Sequence, residues 1–299
     1  MKILHIGVCV YPNESSSLTK AFKKQCTEYK ELTILEAQRT GPEVAASFKP
    51  DFVFLQLQDD VLPIQIVQKI KQHSGFVINW TGDVRQPLPN WYQQMSKVVD
   101  CTGFTNNADI EVIRKLGHRA EFIQQGFDPG IYSPVNRLKD IDIVFMANNY
   151  INQFPLSKFR EGISLALTHY PNFKLYGTGW KFGHGNLNHS QQAEAKVYNQ
   201  SKIGINISHF DLERYSSDRM TRIMGCGVLC FTHAYKGLEI DFIDGVHLVA
   251  WNNVSDLKEK INYYLANDKE GERIAKAGHR EVQKFTFDKQ VENLLKLCE

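Results

Sequence analysis

Arg219 and Arg222 stand three residues apart in the stretch Tyr215-Ser-Ser-Asp-Arg-Met-Thr-Arg-Ile-Met-Gly-Cys-Gly-Val-Leu-Cys-Phe-Thr232. At that spacing they share one face of a helix. The segment begins on small polar residues, breaks at Gly225 and Gly227, and runs into an apolar strand over 228–231. A helix start offers free backbone N–H groups and the positive end of a dipole, and two guanidinium groups add fixed charge. The block therefore suits a phosphorylated ligand.

Other residues with chemical potential follow short apolar runs. After 173–176 comes Gly177-Thr-Gly-Trp180, where two glycines permit a close backbone approach and Trp180 and His184 can stack or hydrogen-bond. A tight turn over a core tryptophan is the alternative. After 203–207 come Ser208 and His209, and after 141–146 come Ala147-Asn-Asn-Tyr150, with Lys158 and Arg160 on the next helix. In the first half, 76–80 leads into Thr81-Gly-Asp-Val-Arg85. Asp83 there could take a proton from an attacking hydroxyl, or it could bond its own turn and pair with Arg85. The first strand runs into the polar loop Tyr11-Pro-Asn-Glu-Ser-Ser-Ser17.

These positions need elements that end at one edge. Strand-like runs over 3–10, 32–35, 52–57, 76–80, 98–104 and 121–124 alternate with helix-like stretches such as 62–73 and 109–116. The pattern stops at Gly126-Phe-Asp-Pro-Gly-Ile-Tyr-Ser-Pro-Val135, a linker candidate, and restarts with strands over 141–146, 173–176, 203–207, 228–231 and 247–251. Helix-like segments intervene at 156–169, 191–200 and 257–265. The expected class is α/β, with two doubly wound, Rossmann-like parallel sheets whose ligands bind beyond the carboxyl ends of the strands.

Composition narrows the function. A hydrophobic content of 42% with 23% charged residues is that of a globular protein, and a net charge of +2 does not by itself call for nucleic acid. The spacings of the dinucleotide fingerprint and of the P-loop do not occur, which argues against nicotinamide oxidoreductases and P-loop NTPases. The six cysteines lack Cys-x-x-Cys pairs and read as free thiols of a reducing compartment. No run is long enough to span a bilayer, and the apolar start reads as a first strand rather than a signal peptide, so the expected location is the cytoplasm.

Leu175-Tyr-Gly-Thr-Gly-Trp180, Val197-Tyr-Asn-Gln-Ser-Lys-Ile-Gly-Ile-Asn-Ile-Ser208 and the arginine block together resemble GT-B glycosyltransferases of the group-one, CgeB-like (spore maturation protein) type. Residues 239–242, Asp244-Gly245 and 257–265 fit the closing part of that pattern, and Trp80-Thr-Gly-Asp-Val-Arg85 with 117–132 fit the partner domain. The resemblance implies an acceptor-side domain over 1–132, a nucleotide-sugar domain over 133–284, and a helix over 285–299 that crosses back to the first. It implies no cofactor and no bound metal, and a nucleotide-sugar co-substrate, most simply a UDP-sugar. Arg219 and Arg222 would neutralise the departing diphosphate, and Ser217, Gly177, Gly179, His209 and Gly225 would shape the donor site. Arg85 and Tyr11 would lie on the acceptor side, with Asp83 as the base if transfer is inverting.

One position departs from the family. Group-one enzymes place a glutamate three residues after the motif arginine, where it holds the donor's ribose hydroxyls; here Arg222 stands there, and Arg214 stands where an acidic partner is expected. Guanidinium cannot accept a hydroxyl hydrogen. Either the ribose is held otherwise, or Arg222 meets phosphate, or the donor is unusual. The resemblance implies sugar transfer to an acceptor hydroxyl, with a hydroxylated DNA base of phage type as a minor acceptor; Lys115, His118 and Arg119 could add a phosphate-binding edge for it, the favoured alternative being a solvated helix end. The competing readings are a nucleotide-sugar epimerase of the same fold and a non-catalytic nucleotide-sugar-binding protein.

Overall fold

The computed structural model describes residues 1–7, 16–187 and 190–298. The chain divides into two compact units, Met1–Gly126 with Phe287–Glu299, and Phe127–Thr286.

The first unit follows the chain through β1 (Lys2–Gly7), α1 (Ser17–Gln25), β2 (Glu28–Leu32), α2 (Ile34–Phe48), β3 (Phe52–Gln56), α3 (Ile64–Lys71), β4 (Phe76–Trp80), α4 (Asn90–Met95), β5 (Cys101–Phe104), α5 (Asn107–Lys115) and β6 (Ala120–Phe122). Its six strands are all parallel, in the order β2-β1-β3-β4-β5-β6. Helices cover both faces of such a sheet, so its inner strands β1, β3 and β4 read as largely apolar runs, whereas the edge strand β2 is polar. Leu4, Ile6, Val53 and Leu55 enter one core, and Ile3, Phe52, Phe54 and Ile78 enter the other.

The second unit holds β7 (Ile141–Met146), α6 (Ser157–Leu167), β8 (Phe173–Tyr176), α7 (Gln191–Asn199), β9 (Ser201–Asn206), α8 (Arg219–Gly225), β10 (Leu229–His233), α9 (Leu238–Asp241), β11 (Val249–Trp251), α10 (Val254–Ala266) and α11 (Asp268–Val282). Its sheet is parallel in the order β11-β10-β9-β7-β8. Connections run in opposite senses from β7 and β9, which makes the gap between their carboxyl ends the topological switch point where open α/β sheets bind ligands. Within β9, Gly204 leaves room for α8: a Cβ there would come to 2.8 Å from the Ile223 side chain. Among the described residues no helix is long and apolar enough to cross a membrane.

Three expectations shift. Residues 32–35 are not a strand: β2 ends at Leu32, and Thr33 caps α2 in a reciprocal capping box with Glu36. That helix runs on through Gly41 and Pro42, residues whose ordinary meaning is a break. The linker candidate belongs to the second unit, because Phe127 and Tyr132 bury in its core and the Asp128 carbonyl accepts from Tyr132 N at 2.8 Å. The division thus falls at Gly126/Phe127, earlier than expected. The terminal helix α12 (Phe287–Lys296) lies in the first unit, where Val291 and Leu294 join Leu18 and Phe22.

His5 is wholly enclosed in β1, its Nδ1 2.9 Å from the Tyr29 hydroxyl. Burial holds its pKa down to about 4, against an opposing hydrogen bond with Gln56. The folded chain refuses a proton that the unfolded chain accepts, so this contribution to stability is complete above 6.5 and is lost as pH falls towards about 4. Urea unfolding at about pH 7 and about pH 4.5 should show a smaller acid-induced loss for His5→Phe than for wild type. Equal losses would show that another group is responsible.

Candidate functional site

A cavity of about 200 Å³ opens at the carboxyl edge of the second sheet. Met146, Ala147 and Asn148 line it from the end of β7, Tyr176 and Gly177 from the end of β8, and Glu194 and Tyr198 from α7. Asn186, Leu187, Asp218, Arg219 and Arg222 complete the wall.

Arg219 sits at the switch point. Its Nε donates to the Met146 carbonyl at the end of β7, and its Nη1 reaches Asn206 Oδ1 at 3.3 Å and the Ile207 carbonyl at 3.2 Å beyond β9. Ser217 supports it twice over, with Oγ 3.0 Å from Arg219 Nη1 and bonded to Asn206 Oδ1 at 2.9 Å. All of these acceptors are neutral. A half-buried guanidinium whose hydrogen-bond partners are all neutral has no carboxylate to balance it.

Arg222 is different. Its Nη1 bonds Glu194 Oε2 at 3.0 Å, its Nη2 bonds Asp218, and its guanidinium lies over the Tyr132 ring. Tyr132 donates to the same Glu194 oxygen at 2.8 Å. Burial opposes the Arg222 charge, but Asp218, then Tyr132 and Glu194, outweigh it and raise its pKa above the usual range. The expectation was of two phosphate-ready cations: Arg222 shares the cavity wall with Arg219, and its charge is balanced by two carboxylates. Helix α8 spans only Arg219–Gly225, and Asp218 makes no side-chain cap, its carboxylate being turned to Arg222. Guanidinium chemistry rather than a helix dipole therefore sets the field.

The loop glycines act on protein backbone. Gly177 has φ 131°, and a Cβ there would stand 2.0 Å from the Ala147 carbonyl oxygen. Gly179 is equally tight against Asn149, so both glycines press the β8 loop onto the β7 loop, and only Gly177 lines the cavity. Trp180 closes the same seam by donating to the Ala147 carbonyl at 2.6 Å. Gly225 packs against Phe127 rather than lining the cavity. His209 is also outside the wall, in ring contact with Tyr150 and Phe154 and accepting from Arg160. Burial, then Arg160 and Arg219, hold its pKa down to about 3, so the imidazole is neutral.

In the first unit, Asp83 Oδ2 stands 4.0 Å from Arg85 Nη1, and its backbone N–H donates to the Thr81 hydroxyl. Its side chain is 58% exposed, an open turn position rather than a desolvated one. Arg85 also pairs with Asp59 at 3.2 Å. Tyr11 lies outside the described residues. Arg119 is engaged by Glu121 and by the Leu297 carbonyl.

The sequence reading missed Glu194 and Asp218, the carboxylates of the cavity. Glu194 had a local signal, as an acid in the first turn of a helix capped by Ser190. Its meeting with Arg222 is tertiary. An Asp-x-Asp spacing, Asp140-Ile-Asp142, lies at the amino end of β7, where Asp142 pairs with Lys202 at 3.1 Å, away from the cavity. Among the described residues, no group of three or more His, Cys, Asp or Glu is placed to hold a metal.

Two parallel doubly wound sheets, one with a cation-lined switch point, define the architecture. The chain has the GT-B fold. Sucrose-phosphate synthase from Thermosynechococcus elongatus superposes with a TM-score of 0.70 at 12% identity, covering 99% of this chain and 98% of that one. A glycosyltransferase from Rickettsia africae gives 0.67 at 12% identity, over 99% and 97% of the two chains. Anabaena HepE in complex with UDP-glucose gives 0.65 at 12% identity, over 99% and 100%. Residues 157–296, which include α6 to α11, match the profile of a family described as Glycosyl transferase-like. No match was found among curated protein sequences.

If Arg222 is the clamp for Glu194 and Asp218, Arg222→Met removes the cation that both carboxylates pair with. Urea unfolding should show a loss of about 1–3 kcal/mol, partly restored in Arg222→Met/Glu194→Gln. Unchanged stability in the single variant would return Arg222 to the pool of ligand-binding cations.

Proposed function

We propose that the protein is a glycosyltransferase that moves a sugar from a UDP-sugar to an acceptor hydroxyl. The observation that carries the reading is Arg219, a guanidinium held by neutral acceptors alone at the switch point and facing a cavity. The departing diphosphate of a nucleotide sugar is the anion such a group stabilises as charge develops. Support comes from the family profile over 157–296 and from HepE, a protein of the same fold solved with UDP-glucose.

The cavity is below the roughly 300–1,000 Å³ of sites that enclose a whole small ligand, so it takes the diphosphate and an adjoining ring rather than an entire donor. Glu194 and Asp218 are the acceptors for hydroxyls on that ring. They do the work that a motif glutamate would do, and Arg222 holds them in place. This weakens the case for a non-catalytic binding protein, which rested on the missing acid. Asp83 remains the proposed base for an inverting transfer, with Arg85 beside it. The engaged state of Arg119 gives a DNA acceptor no support.

Purified protein incubated with UDP-glucose and simple alcohol acceptors, with UDP release followed in time, tests this directly. Acceptor-dependent release is expected, whereas release or isomerisation of the donor independent of acceptor points to an epimerase or hydrolase. Arg219→Ala should weaken UDP-sugar binding about tenfold or more without unfolding the chain. Asp83→Asn should abolish transfer and keep donor affinity; full activity in it removes the base assignment.

A further inference from the structure

Arg160, in the first turn of α6, is 1% exposed. Its Nη1 donates to the His209 ring, 2.8 Å from the ring nitrogens, and its Nη2 donates to the Asn148 carbonyl at 3.1 Å. The guanidinium carbon lies 5.7 Å from the centroid of Phe145, and that of Arg219 lies 5.6 Å from the same ring. None of these partners of Arg160 is a carboxylate. His209 is neutral, so it accepts a hydrogen bond without cancelling the charge.

This arrangement is expensive for the fold alone. Burying a cation away from any acid costs stability, and a second cation beside the same ring adds repulsion. Burial, then the proximity of Arg219, lowers the Arg160 pKa to about 9, still charged at neutral pH. An apolar side chain of similar length would fill the space beside Phe145 without that cost. Arg222, in the cavity wall, is by contrast balanced by Glu194 and Asp218.

We infer that Arg160 is a positioning residue for the diphosphate: a fixed, desolvated charge behind the cavity wall that, with Arg219, favours a ligand dianion over an uncharged nucleoside. The inference rests on the nucleotide-sugar reading above. Arg160 works through Asn148, whose carbonyl it holds and which lines the cavity, and through its field, which low-dielectric surroundings screen little.

Calorimetric titration of UDP and of uridine into the full chain measures the ratio of the two affinities, a quantity that general damage to the fold would not change selectively. In Arg160→Gln, UDP affinity should fall about tenfold with uridine affinity held, whereas Arg160→Lys should keep most of the wild-type ratio. Equal losses for both ligands in Arg160→Gln, or a Lys variant whose ratio falls as far as that of Gln, would overturn the inference. If the Gln variant does not fold, Arg160→Met takes its place in the comparison with Arg160→Lys. Wild type that binds no UDP overturns the nucleotide reading and this inference together; wild type that binds UDP with a ratio indifferent to Arg160 overturns only this one.

Discussion

The site depends on one guanidinium tied to two strand ends. Arg219 bonds the last carbonyl of β7, the side-chain amide oxygen of Asn206 at the end of β9 and the Ile207 carbonyl just past it, so the residues flanking the switch point are fixed to a single cation. Everything that shapes the cavity follows from where that group must sit. Gly204 lets α8 approach β9, Ser217 braces the side chain, and Gly177 lets the β8 loop close over the β7 loop. A parallel sheet buried on both faces supplies the rigidity, because neither strand end can move without disturbing two cores.

Charge is then distributed unevenly by design of the packing. Arg222, Glu194, Asp218 and the Tyr132 hydroxyl form a closed network in which each charge has a partner. Arg219 and Arg160 share Phe145 and neutral acceptors and stay uncompensated. A site with a balanced side and a cationic side can orient a ligand that is itself divided into a polyhydroxyl ring and a phosphate. That division is the chemistry of a nucleotide sugar, the ligand proposed above.

Much of this was legible in the sequence. Short apolar runs between helical segments mark buried parallel strands, and the spacing of Arg219 and Arg222 does place both on the same wall. The misreadings have physical causes. At 32–35 an apolar run straddles a strand end and a helix start, and the capping box at Thr33 decides between them. α2 carries Gly41 and Pro42 inside it, and α11 buries a face made largely of the small residues Gly271, Ala275 and Gly278, so few large apolar side chains mark either helix. The glycines of 177–179 were legible as a close approach but not as an approach to protein rather than ligand. Glu194, twenty-eight positions from its partner Arg222, and Arg160, whose burial depends on β7 and the loop after β9, belong to tertiary structure that local spacing does not encode.

The central claim is that the second unit's switch point is a diphosphate site built on Arg219. A crystal structure of the protein grown with UDP tests it most directly. The account requires phosphate oxygens within hydrogen-bond distance of the Arg219 guanidinium, with ligand hydroxyls turned toward Glu194 and Asp218. Nucleotide bound elsewhere on the chain, or bound here with its phosphates on Arg222 and the Arg222 carboxylate pairs broken, would contradict it.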